Sequence, residues 1–452
     1  MIRTLVTAGI ALLAITLPAP QSLAAQEVID LPGRDQRLDA DFEEVFRIGV
    51  LDGEDWEMLA TVMHVDFDEK GNLYIVDGSG GMSLGDGTRV LGLGSGGTRV
   101  LVFDASGNFV REFGTSGEGP GEFNVPAGFA VLRDGTTVVS DFGHRAYQLF
   151  DASGGFLRMV RGSRASVSSS LLADPRGNAV FTGRFGRRIG VMSSGDGGAG
   201  PPASRPITRL ALSGADVQTD TVAEAWLPPR EKAGLKLPGN IGARGDGRVE
   251  LADALSAMVQ PSIFEPRLLA GVLLNGGVVY SDSSTYALKI TRPDVPEIAR
   301  IIRRPLRPEP VTPRIEKDYL EKQEAEREAG GLGSGAVVQL QAVTSGGGSP
   351  GASNQSFTLE MPEPTFYPEL SVLSRLSTTW EGNIWVRRRG DEPESDGPID
   401  VISADGRYVG TFAKDAAEMP DAFGPNGMAA FIERDEFDVA RVVVRRLPAA
   451  VR

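Results

Sequence analysis

Only two histidines, His64 and His144, stand in a sequence that has no cysteine. An imidazole near carboxylates is a set that holds a metal or moves a proton, and Asp141 lies three residues before His144. Together, His64, His144, Asp77 and Asp141 could bind Zn²⁺ with an open position, which activates water or polarises a substrate. Three carboxylates, Asp77, Asp141 and Asp282, each end a short apolar run. A rim of such oxygens would suit Ca²⁺, a hard ion that wants several oxygen ligands. The competing reading is that each Asp hydrogen-bonds the backbone of its own loop, as Asp does in turns. That reading outweighs both metals, because neither ligand set is complete.

Two arginines complete the candidate ligand-binding set. Arg145 follows His144, and Arg388 is the middle of the run Arg387–Arg389. Guanidinium groups there could take an anionic group of a ligand, although solvated strand-end charge is the default. Asp66 and Asp68 in DFDEKGN mimic part of a calcium loop, but the turn is tight and lacks the distal Glu, so a hairpin is the better reading. ARGD at 243–246 contains a tripeptide short enough to recur by chance. The absence of Cys removes thiol nucleophiles, disulfides and thiolate metal sites together. No nucleophile elbow, phosphate loop or nucleotide fingerprint is present. A net charge of −14 repels polyphosphates, which excludes nucleic acid as a partner.

A repeat places these residues. FDASGNFVREFG (103–114) and FDASGGFLRMVR (150–161) nearly match and start 47 positions apart (150 − 103). VDFDEKGNLYIVD (65–77) precedes the first and FAVLRDGTTVVSD (129–141) the second. Each unit therefore reads strand, Gly turn, strand ending in Asp, strand, Ser-Gly turn, strand. Such a meander recurring every 40 to 50 residues or so is the period of a propeller blade. Further units begin at Asp174, Leu273 and Thr378. The last, from Gly427 to Leu447, has three strands, and Glu43–Leu51 supplies the fourth and closes the ring. The expectation is an all-β, six-bladed propeller of four-stranded antiparallel blades over 40–449, with five and seven blades as alternatives. Aligning the Gly turns puts Asp77, Asp141, Gly183, Asp282 and Arg388 at one position, the end of the second strand.

The joint GTSGEGPGEFNVPAGFAV (114–131), with the Asp-terminated strand and LFDASGGFL after it, resembles NHL repeats. The resemblance covers Leu59–Arg161 and implies an NHL-like propeller of the exported bacterial type. Amidating lyases of similar shape use three histidines on zinc, which this chain cannot supply. Lactonase-type six-bladed propellers hold Ca²⁺ with carboxylates and Asn, and their full set does not map onto these residues.

Strand order also sorts the loops. The long segments 78–97, 186–206, 227–262, 306–365 and 389–398 all fall on one face, and long loops in a compact fold carry function or disorder. Within 306–365, Thr312 and Pro313 start a helix over RIEKDYLEKQEAEREA, with Ile315, Tyr319 and Leu320 as its apolar stripe. The helix reads as a lid or a solvated arm, and the Gly/Ser-rich stretch 331–356 after it reads as a flexible linker. At the N-terminus, Arg3, an uncharged apolar run (5–20) and QSLAAQ form the pattern of a secretory signal over 1–25. The sequence thus points to a periplasmic or extracellular monomer without a membrane span. Its expected role is binding or scaffolding of a protein, peptide or glycan, with no cofactor required. The alternative is a metal-assisted lactonase, hydrolase or lyase at the channel mouth, using Ca²⁺ or Zn²⁺.

Overall fold

Leu73–Gly78 (LYIVDG) is buried at every position. A strand with one face in water would alternate instead. The computed structural model gives the reason: Leu73 and Ile75 pack toward one neighbouring sheet, Tyr74 and Val76 toward the other. Both faces of the strand are covered, so neither is polar. The structure describes residues 26–78, 82–83, 89–90, 97–162, 167–185, 203–229, 262–328, 337–342, 355–360 and 364–452.

Six sheets follow this plan. Blade 1 is Val62–Phe67, Leu73–Gly78, Thr98–Phe103 and Phe109–Phe113. Blade 2 is Pro126–Val131, Thr137–Asp141, Ala146–Phe150 and Phe156–Arg161. Blade 3 is Leu171–Ala173, Ala179–Thr182, Ser204–Ala211 and Gln218–Trp226. Blade 4 is Leu269–Val272, Val278–Ser281, Ala287–Thr291 and Ile298–Arg303. Blade 5 is Leu373–Thr378, Ile384–Arg389, Asp396–Ile402 and Tyr408–Phe412. Blade 6 is Ala422–Phe423, Met428–Arg434 and Ala440–Arg446, closed by Glu43–Ile48 antiparallel to Ala440–Arg446.

The core is six apolar clusters, one between each adjacent pair of blades. Phe67 meets Met428 between blades 1 and 6, and Val76 meets Phe129 between blades 1 and 2. Leu149 meets Leu210 between blades 2 and 3, and Phe181 meets Tyr280 between blades 3 and 4. Leu288 meets Ile384 between blades 4 and 5, and Trp385 meets Phe431 between blades 5 and 6. Each large apolar side chain buried this way contributes about 1.5–3 kcal/mol. The ring of clusters closes at six, which removes five and seven.

The N-terminal segment does more than close the ring. Glu27–Asp30 adds a parallel fifth strand to the outer edge of blade 4, and Arg37–Leu38 does the same on blade 5. These two additions lie ahead of residue 40 and flank the four antiparallel strands of each of the two blades. Ion pairs fasten this strap: Glu27 to Arg300 (2.7 Å) and Asp30 to Arg303 (3.1 Å). The wholly buried Arg304 reaches Asp35 (2.7 Å), Asp400 (2.8 Å) and the Pro32 carbonyl (2.9 Å). At the other end, Trp385 Nε1 donates to the Val451 carbonyl (2.8 Å), so the fold also runs past 449.

The helix forms as expected, at Pro313–Glu328, where Ile315 N donates to Thr312 Oγ1 (3.4 Å). It is not merely solvated: Tyr319 is buried edge-on against Phe264 and Phe366, with ring centroids 5.0 and 6.1 Å away. Within the stretch read as a flexible linker, Val337–Ala342 is a strand, and it pairs with Gln355–Glu360 at and beyond the end of that stretch. In blade 5 the strand resumes at Asp396, so the loop there is shorter than 389–398. Among the described residues, no helix is long and apolar enough to cross a membrane. The segment 1–25 and most of the loops 78–97, 186–206 and 227–262 lie outside the described residues.

Candidate functional site at the loop face

First-to-second and third-to-fourth turns share one face, and none exceeds six residues. Their chemistry is repetitive. Asp68 Oδ1 accepts Lys70 N and Asn72 N at 2.9 Å each, and Asp104 does the same for Ser106 and Asn108. Gly71 and Gly107 take the left-handed φ the turn requires, +80° and +83°. DFDEKGN is thus a hairpin turn. The other face carries every second-to-third loop and every joint between blades, including the helix.

The rim residues at the ends of the second strands hold that face together. Asp141 is fully buried and accepts Asn124 N (2.9 Å), Val125 N (3.0 Å) and His144 N (3.1 Å). His144 Nδ1 sits 3.0 Å from the same carboxylate, and its Nε2 is 3.1 Å from the Glu118 carbonyl. Burial pushes the Asp141 carboxyl up, but the Val125 N–H, the His144 ring and the Asn124 N–H outweigh it and hold it below the usual range. Burial likewise pushes His144 down, and its bonds to Asp141 and Glu118 carry it above its ordinary value.

Asp77 repeats the device on Ala60 N and Thr61 N (2.9 Å each), with Arg99 Nε at 3.2 Å. Asp282 accepts Trp226 N (2.7 Å) and pairs with Lys289 (2.8 Å). Each carboxylate clamps backbone arriving from the joint or the preceding blade. Arg388 pairs with Asp35 of the strap (2.8 Å), Arg387 with Asp396, and Arg389 with Glu309 of the joint leading into blade 5 (2.7 Å). Three consecutive arginines thus tie three different segments to one strand. Arg145 is exposed, in a turn with φ +53°.

His64 lies on the innermost strand of blade 1, edge-on to Phe129 of blade 2 at 5.4 Å. Among the described residues, no three His, Asp or Glu side chains converge as a metal-holding group, so His64, His144, Asp77 and Asp141 are not assembled into one.

The structure adds roles for residues that sequence reasoning read only as part of a turn or passed over. Asp66, two residues after His64, accepts Val131 N of blade 2 (2.8 Å) and Phe67 N (2.9 Å). Burial chiefly, with the charge of Asp68 adding to it, pushes its carboxyl up to about 7 despite those two donors. The pattern His-x-Asp on an innermost strand was a visible signal. Arg133 and Trp380 are the other pair: the guanidinium lies over the indole (4.5 Å) and donates to its backbone carbonyl (3.0 Å). Residues 247 positions apart leave no local signal.

A family model described as a 6-bladed beta-propeller matches residues 92–165. No curated protein matches the chain by sequence. Among solved structures, a candidate exported protein from Bacteroides fragilis is similar at TM-score 0.46 and 10% identity, covering 93% of this chain and 99% of that one. A DUF4221-family protein from Bacteroides vulgatus gives TM-score 0.46 at 8% identity, with 91% and 99% covered. A virginiamycin B lyase from Staphylococcus aureus gives 0.33 at 9%, with 90% and 100% covered. Six sheets in a closed ring and a family match within blades 1 and 2 make this chain a six-bladed β-propeller.

Proposed function

We propose that the chain is an exported, monomeric binding or scaffolding propeller of the NHL-like type, whose loop face takes a protein, peptide or glycan. One observation carries this reading. Among the described residues, every turn between strands on one face has six residues or fewer, while the strand ends that flank the long segments lie on the other. Turns kept short on one side show what the fold needs, and the additions on the other side exceed it. The signal-like segment 1–25 supports a periplasmic or extracellular location. The reading requires no cofactor.

Shortening 78–97 to the spacing of blade 2 tests it. The shortened protein is expected to melt within a few degrees of the parent, because loop closure depends only weakly on length. On peptide and glycan arrays it loses the parent's binding. Unchanged binding, with loss instead in a surface variant of the short-turn face, would show that the wrong face was chosen. Stoichiometric Ca²⁺ or Zn²⁺ in the purified protein, lost in Asp141→Asn or His144→Ala, would move the assignment to the metal-assisted lactonase, hydrolase or lyase.

A further inference from the structure

We infer that the central channel is closed at the short-turn face by the Arg133–Trp380 brace. Arg133 lies in the first-to-second turn of blade 2, and Trp380 in the equivalent turn of blade 5. The buried apolar residues of blade 2 fall in clusters shared with blades 1 and 3, and those of blade 5 in clusters shared with blades 4 and 6. The two turns therefore sit opposite each other. A guanidinium 4.5 Å over an indole, with a 3.0 Å hydrogen bond to the indole's own carbonyl, can form between them only across the axis. The indole also leans on the cluster between blades 1 and 6, so the plug touches the wall on a third side. No carboxylate forms an ion pair with Arg133 among the described residues. It is held by the ring and the carbonyl, an arrangement suited to a planar guanidinium rather than an ammonium.

The inner walls carry polar groups. An innermost strand has one unpaired edge, and that edge faces the channel. Side chains satisfy part of it: Asp66 takes Val131 N, and Thr378 Oγ1 donates to the Val272 carbonyl (2.9 Å). His64, Asp66 and Ser377 keep partial accessibility on strands whose faces are covered by neighbouring blades, so what they meet is the channel. With the far end shut, those groups are reached only from the loop face. A ligand of that face then enters as a tip, a chain end or a projecting group, and cannot thread through. This last consequence rests on the loop-face reading; the plug itself does not.

The cysteine-free chain makes the test clean, because one introduced thiol is the only reporter. Ser377→Cys reports on the channel and Ser106→Cys on an exposed turn of the short-turn face. Both are labelled with a bulky polyethylene-glycol maleimide, in the parent background and with Arg133→Ala or Trp380→Ala added. Removing the brace is expected to raise the Ser377→Cys rate at least about tenfold, equivalent to roughly 1.4 kcal/mol of lost obstruction. The Ser106→Cys rate stays constant. If the alanine variants melt too low to assay, Trp380→Leu, which shortens the plug but keeps apolar contact, is read the same way. A Ser377→Cys rate indifferent to every one of these substitutions in folded protein overturns the plug. Loss of array binding on loop shortening is a separate readout, so the two readings fail separately.

Discussion

Asp66 shows how a carboxyl can be held by two N–H donors and still resist ionisation. Its folded value of about 7 stands above the ordinary 3.8, so the folded protein keeps a proton that the unfolded chain gives up between those limits. Stability contributed through this group is therefore present below about pH 4 and is lost as pH rises to about 7. Asp66→Asn removes the charge and keeps an acceptor. Its melting temperature should gain on the parent's by about 2–4 °C between pH 4 and pH 8. A constant difference across that range would show that Asp66 stays ionised in the fold. Of the rim carboxylates, Asp141 behaves oppositely, held as an anion by backbone donors and the His144 ring. The backbone role of the rim carboxylates was legible in the sequence, because the Asp recurs with the repeat rather than with any ligand set. The pairing of Arg388 with Asp35 was not, since the two lie 353 positions apart.

Blades were legible because hairpins are local: Asp-x-x-Gly turns and alternating apolar runs announce themselves within a dozen residues. The helix was legible for the same reason, through Thr312 and Pro313. The strap was not. EVID and RL are parallel additions to strands more than 250 residues away, and neither contains a turn. The hairpin 337–342/355–360 was hidden by the Gly/Ser-rich residues between its strands, whose composition reads as linker. The strap's hold is concentrated at Asp35, which accepts from both Arg304 and Arg388. Burial opposes the charge of Asp35, and those two guanidinium groups overcome it and hold its carboxyl below the usual range. Asp35→Asn leaves the buried Arg304 with Asp400 as its remaining carboxylate and should cost about 1–3 kcal/mol by chemical denaturation. Deleting 27–38 should cost more and bare two sheet edges, seen as aggregation on heating. An unchanged denaturation midpoint for both would make the strap ornamental.

At the scale of the molecule, the net charge and the absence of cysteine leave the ring to its six apolar seams, with no covalent staple. The short turns of one face were legible from their Gly signals alone. The brace across the axis was not, because it depends on ring diameter, which no local pattern encodes.

Blade 6 pairs Ile48 with Val442, so its seam joins residues 394 positions apart (442 − 48). Such a contact is the slowest kind to form, since nearly the whole chain must be available before its ends meet. A chain emerging from the ribosome holds Glu43–Ile48 unpaired until Val442–Arg446 has been made. Closure is then expected to be the final event of folding. A circular permutant with residues 27–48 joined behind Arg452 by a flexible linker turns that seam into a local hairpin. It should refold faster than the parent by about tenfold or more while melting at a similar temperature. Equal refolding rates would place the slow step elsewhere in the ring.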